Sequence, residues 1–110
     1  MGLESVMREA DLAAFAAAHA GDAFVIDVRE PDEYVSGHVP GARLMPLGQL
    51  PRHLGEVPRG ERVYVICRSG KRSLAAVDLL ARAGVDAVSV TGGTDGWQRA
   101  GNPVTLGARP

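Results

Sequence analysis

Two short, nearly unbroken apolar runs constrain this chain more than any other feature: Ala23–Val28 (AFVIDV) and Val63–Cys67 (VYVIC). Neither alternates apolar with polar residues, as a strand with one wet face would, so each reads as a strand buried on both sides. Asp86–Val90 (DAVSV) reads as a third strand and Ala42–Leu47 (ARLMPL) as a short one. Helical patterns fill the gaps. Glu9–Gly21 places Leu12, Phe15 and Ala16 at helical spacing before a glycine stop. Lys71–Gly84 (KRSLAAVDLLARAG) is the strongest pattern, with Leu74, Val77, Leu80 and Ala81 as its predicted buried stripe. Pro31–Ser36 and the stretch after Gly92–Gly93 read as short helices, Leu47–Gly60 as a weak helix broken by prolines, and the tail after Pro103 as irregular. Strands alternating with helices predict an α/β domain with a central, mostly parallel sheet and helices on both faces. In such sheets ligands gather at the carboxyl ends of the strands, and Cys67 sits at one of those ends.

Chain length and charge narrow the function. At 110 residues, residues 1–110 read as a single domain. The net charge of −1 supplies no global field for nucleic acid or a membrane surface. One cysteine excludes an internal disulfide and a closed cysteine-based zinc site, and no histidine or carboxylate cluster has metal spacing. The alanine-rich N-terminus carries Glu4, Glu9 and Asp11 where a leader peptide would carry cations, so it reads as an amphipathic helix in a cytoplasmic protein.

The lone cysteine lies in VYVICRSGKRS, followed by Arg68, Ser69, Gly70, Lys71 and Arg72 and then by a helix. Lys71 is the only lysine in the chain. By strand context alone, Cys67 is a small inert core residue. The glycine-containing cationic turn favours another reading, since loop amides that curl inward before a helix make a cradle for negative charge. Such surroundings lower a thiol's pKa. The turn therefore suits an anionic sulfur and an anionic substrate.

Three segments together resemble the rhodanese domains, single-cysteine sulfurtransferases. Ile26–Glu30 (IDVRE), with Glu33-Tyr34 and Gly37-His38-Val39-Pro40-Gly41-Ala42, is similar to that family's first signature. CRSGKRS is similar to its active-site loop, and Gly92-Gly93 with Trp97 to its C-terminal signature. The matches run in order from about residue 5 to 103, and the resemblance implies a rhodanese-like three-layer fold with that core and a persulfide-forming nucleophile at Cys67. It implies that the amides from Arg68 to Ser73, Gly70 included, hold the transferred sulfur and an anionic donor, with Arg68, Lys71 and Arg72 supplying positive field. The implied donor is thiosulfate or a persulfidated protein, the acceptor cyanide or a cellular thiol, and no metal or organic cofactor is required. A protein-to-protein sulfur relay is the alternative within the family. A phosphatase or arsenate reductase is the alternative on the same fold; those enzymes place five residues between cysteine and arginine, whereas Cys67 and Arg72 enclose four. Large two-domain thiosulfate enzymes of the family commonly carry a basic residue before the aromatic that is here Tyr34. This chain has Glu33 there.

The remaining conspicuous residues read as structural support. Asp27 is expected to bond nearby backbone and Arg29 to pair with an acid such as Glu33. His38 is expected to serve turn geometry rather than to act as a base. Trp97 reads as core, and Gly92 and Gly93 as a tight turn after the third strand.

Overall fold

A computed structural model describes residues 8–110. The N-terminal helix expected from the first residues therefore lies partly outside the described part of the chain.

Within it, five parallel strands form one sheet in the order β1-β5-β4-β2-β3. In chain order the elements are β1 (Glu9–Ala10), α1 (Leu12–Ala20), β2 (Phe24–Asp27), α2 (Pro31–Val35), β3 (Arg43–Leu44), a 3₁₀ helix (Leu47–Glu56), β4 (Val63–Ile66), α3 (Lys71–Arg82), β5 (Ala87–Val90) and α4 (Gly93–Arg99). The two apolar runs become the adjacent strands β2 and β4 in the middle of the sheet, in register from Phe24↔Val63 to Asp27↔Ile66. Successive side chains of a strand point to opposite faces, and the core divides accordingly. Ile26, Val28, Val63, Val65 and Cys67 pack with Leu50 of the 3₁₀ helix and Val77 and Leu80 of α3. Val25, Ile66 and Val90 pack on the other face with Phe15 of α1 and Trp97 of α4. This is the expected three-layer arrangement, and it puts Cys67 on the α3 side.

Four details depart from the sequence-based expectation. Glu9 and Ala10 do not begin a helix but add an edge strand to β5, where Arg8 and Ala10 carbonyls accept from the Ser89 and Thr91 amides. The helix begins only after Asp11, whose carboxylate accepts from the Ala14 amide at 2.8 Å as an N-cap. The weak helix after Leu47 is 3₁₀ in type and contains Pro51, which has no N–H to donate. In α3 the buried face runs through Ser73, Ala76, Val77 and Leu80, and Leu74 is 42 % exposed. The predicted stripe is thus rotated, because Ser73 takes the inward position beside Cys67. Finally, the tail is tied down: His38 and Thr105 exchange backbone hydrogen bonds at 3.0 and 2.8 Å. Among the described residues no helix is long and apolar enough to cross a membrane.

Candidate active site

β4 is the central strand, and it delivers Cys67 to the carboxyl edge of the sheet directly before α3. The chain turns between them through Gly70, whose φ of 113° lies in the region that favours glycine. Gly70 stands at the N-cap of α3 and has no side chain with which to cap it. The turn instead directs its own amide at the sulfur. Gly70 N–H donates to Cys67 Sγ at 3.1 Å, and the Ser73 hydroxyl lies 3.5 Å from the same atom. Burial acts to raise the pKa of this thiol, but hydrogen bonds from the Ser73 hydroxyl and from the Ser73, Gly70 and Ser69 amides outweigh it. The net result lies below the ordinary thiol value. Cys67 is only 1 % exposed, so the sulfur is recessed beneath the turn.

Two further elements hold the turn in shape. From β5, the buried Ser89 places its hydroxyl 2.7 Å from that of Ser73. From α4, the Thr94 amide and hydroxyl donate to the Cys67 carbonyl at 2.9 and 3.1 Å, and the Asp95 amide donates to the Arg68 carbonyl at 3.0 Å. This contact explains Gly93 better than a tight turn does: a Cβ there would lie 2.5 Å from both carbonyl oxygens.

The loop cations are not the free cluster that the sequence suggested. Arg72 is held by Glu33 of α2 through two parallel bonds of 2.7 and 2.8 Å. Arg68 lies 3.4 Å from Asp95. Lys71 is exposed and, among the described residues, makes no ion pair. The hydrogen bonds that lower the Cys67 pKa thus come from main-chain amides and one hydroxyl. Glu33 titrates well below its usual value, at about 2, chiefly through its bond from Arg72, which exceeds the opposing effect of burial.

The expected Arg29–Glu33 pair does not form. Arg29 folds onto Asp27, with Nη2 donating to Oδ2 at 2.8 Å and Nε to Oδ1 at 3.0 Å, while the Asp27 carboxylate also accepts from the Arg29 amide. Residues two apart on an extended chain project from the same face, which makes Asp27 the nearer acid and leaves Glu33 to Arg72. Arg29 Nη2 also donates to the Gly37 carbonyl at 2.8 Å, tying β2 to the turn before His38. His38 is fully buried, stacked on Tyr34 with ring centroids 3.6 Å apart, and its ring nitrogens face the Tyr34 and Arg109 carbonyls at 2.8 and 2.7 Å. Trp97 packs edge-on against Phe15 and donates to the Pro103 carbonyl at 2.7 Å.

A depression of about 230 Å³ lies beside the turn, lined by Ser69, Gly70, Lys71, Leu74, Ser89 and Gly92 among others. A larger one of about 420 Å³ sits at the opposite, amino end of β2, between His19, Phe24, Pro40 and Arg43, so volume alone does not locate the thiol. Sequence reading missed Ser89, Thr94 and Asp95. Ser89 did leave a signal, as the one polar residue within the otherwise apolar β5.

Comparisons with known proteins bear on the family and the fold. A family model described as Rhodanese-like domain matches residues 11–100. A sulfurtransferase of Allochromatium vinosum is 34% identical over 84 residues, covering 76% of this chain and 78% of that protein. A Bacillus subtilis protein, whose name proposes it as a sulfur carrier, is 35% identical over 74 residues; the match covers 66% of this chain and 40% of that longer protein. The crystal structure of a rhodanese-related protein from Thermoplasma volcanium superposes with a TM-score of 0.84 at 33% identity, covering 91% of this chain and 99% of that one.

Proposed function

This chain belongs to the rhodanese-like domain family, and we propose that it is a sulfurtransferase in which Cys67 carries the travelling sulfur. The observation that carries this reading is the sulfur's position under the turn, 3.1 Å from Gly70 N and 3.5 Å from the Ser73 hydroxyl. Groups that favour a thiolate also favour the anion formed whenever sulfur departs from it. The Cys67 thiolate attacks the outer sulfur of thiosulfate; the S–S bond of the donor breaks, and sulfite leaves with the electron pair. Cys67 then holds a persulfide. A cyanide ion or an external thiolate attacks its outer sulfur, the persulfide S–S bond breaks with its electron pair on Sγ, and the Cys67 thiolate is restored. With no second cysteine, the chain has no internal thiol to take that sulfur, so the acceptor comes from outside.

In this scheme the amides from Arg68 to Ser73 receive the sulfane sulfur and the anionic part of the donor, and Lys71 and Arg68 attract it. Asp27, Arg29, Glu33, His38 and Trp97 hold the surrounding frame. The recessed sulfur supports transfer of a single slim atom over hydrolysis of a phosphate ester, whose tetrahedral group needs a wider mouth. Mass spectrometry of the intact protein after incubation with thiosulfate tests the reading. A gain of one sulfur, lost on adding cyanide, is expected; an unchanged mass with every sulfane donor overturns it.

A second reading is favoured by the Glu33–Arg72 pair, which neutralises a cation that thiosulfate would otherwise meet. A persulfidated protein brings its own docking contacts and depends less on that charge, and one relative is named as a sulfur carrier. Fast loading by a persulfidated protein, with slow loading by thiosulfate, would assign this chain to a cytoplasmic sulfur relay.

A further inference from the structure

We propose that Ser89 is a positioning residue for the reactive thiolate: its hydroxyl donates to Ser73 Oγ and so commits the Ser73 proton to Cys67 Sγ. The inference rests on Cys67 being the reacting group and adds a residue that acts on it from a different strand.

Proton accounting carries it. Three polar atoms lie in a row, with Ser89 Oγ 2.7 Å from Ser73 Oγ and Ser73 Oγ 3.5 Å from Cys67 Sγ. All three residues are buried, at 2 %, 0 % and 1 % exposure. Each serine has one proton to give. When the sulfur is an anion, Ser89 donates to Ser73, Ser73 donates to sulfur, and every proton in the row has an acceptor. When the sulfur is protonated, its S–H also points at Ser73, and one serine proton is left with no acceptor among the hydrogen bonds of the described residues. A buried polar group left unpaired is costly, so the row is complete only around a thiolate. Ser89 is held in place for this role: its amide donates to the Arg8 carbonyl at 2.7 Å, and its strand pairs on both sides.

The charged groups around Cys67 are Arg68 with Asp95, Lys71, Arg72 with Glu33, and the Asp27–Arg29 pair at the end of β2; Glu9 lies on the rim nearest Ser89. None is altered by removing the Ser89 hydroxyl. A change on Ser89→Ala therefore reports the hydrogen-bond row.

The experiment is the rate of iodoacetamide alkylation of Cys67 against pH, for wild type, Ser89→Ala, Ser73→Ala and the double variant. Ser89→Ala is expected to move the midpoint up and to slow alkylation at neutral pH by roughly three- to tenfold, the worth of one ordinary hydrogen bond. In the Ser73→Ala background the same change is expected to move nothing, because the relay is already cut. An unmoved midpoint in Ser89→Ala, or an equal shift with and without Ser73, overturns the proposal. The readout needs no sulfur donor. Failure of wild type to accept sulfur would strike the sulfurtransferase reading alone, and an unmoved midpoint in a protein that does accept sulfur would strike only Ser89.

Discussion

Glu33 and Arg72 are 39 residues apart in sequence and are joined by two parallel hydrogen bonds of 2.7 and 2.8 Å. The pair bridges α2 and the first turn of α3, beside the thiol. It does two things at once: it fixes where the arginine points, and it offsets one of the loop's three positive charges.

Replacing Glu33 by Gln separates those effects. The Glu33 pKa is lowered from 4.5 to about 2, so the pair's contribution is present above the unfolded value and is lost as pH falls from 4.5 through about 2. Both side chains are partly exposed, which limits that contribution to about 1 kcal/mol at neutral pH. Urea unfolding of wild type and Glu33→Gln at a series of pH values is expected to show that gap closing toward pH 2. A gap unchanged from pH 7 to pH 2 would contradict the pairing. With Arg72 released, the KM for thiosulfate is expected to fall.

Cys67→Ser is expected to eliminate sulfur loading and leave the unfolding midpoint within a degree or two of wild type, since it changes one atom of a small buried side chain. In wild type, the hydrogen bonds to sulfur lower the thiol pKa, so alkylation should reach its plateau at a lower pH than for a free cysteine. A midpoint at or above that of a free thiol would mean that the amides do not act on the sulfur.

Gly93→Ala tests the contact between α4 and the turn. The new Cβ would stand 2.5 Å from the Cys67 and Arg68 carbonyl oxygens, at a backbone φ of 59°. A loss of about 3 kcal/mol or more is expected in urea unfolding, because backbone must move to make room. Gly96→Ala is the control within the same helix. Its Cβ would meet nothing closer than 4.0 Å, and a gain of about 0.5–1 kcal/mol is expected from the better helix former.

Asp27→Asn removes the charge that neutralises Arg29 in the interior. Asp27 is fully buried and Arg29 is 5 % exposed, so an uncompensated guanidinium would remain in place. The expected destabilisation is about 3–5 kcal/mol, measured by the same unfolding assay. A loss below about 1 kcal/mol would show that Arg29 escapes to solvent when its partner is gone.

The sheet was legible because β2 and β4 are apolar on both faces, a pattern that leaves them little choice but the middle of a covered sheet. The thiol's setting was legible because a lone cysteine, a glycine and a helix start coincide within a few residues. What escaped the sequence was mostly a matter of partners. Three cations within five residues gave no hint that Arg72 belongs to Glu33 and Arg68 to Asp95, since those acids lie on elements brought together only by folding. The phase of α3 was misjudged because Leu74 outranks Ser73 in hydrophobicity, whereas the inward place is taken by the residue with a hydroxyl to offer. Glu9 and Ala10 continue a helical pattern, yet unpaired donors on β5 and the Asp11 cap pull them into the sheet.

A trans peptide unit is a rigid plate whose carbonyl and N–H face opposite ways. The Asp95 amide holds the Arg68 carbonyl at 3.0 Å, and so fixes the plate whose other edge is the Ser69 N–H, an amide that acts to lower the Cys67 pKa. The bare α-carbon of Gly93 is what lets α4 come close enough to hold the plate. A methyl group missing far along the chain thus lets two distant segments grip one peptide unit of the turn above the thiol.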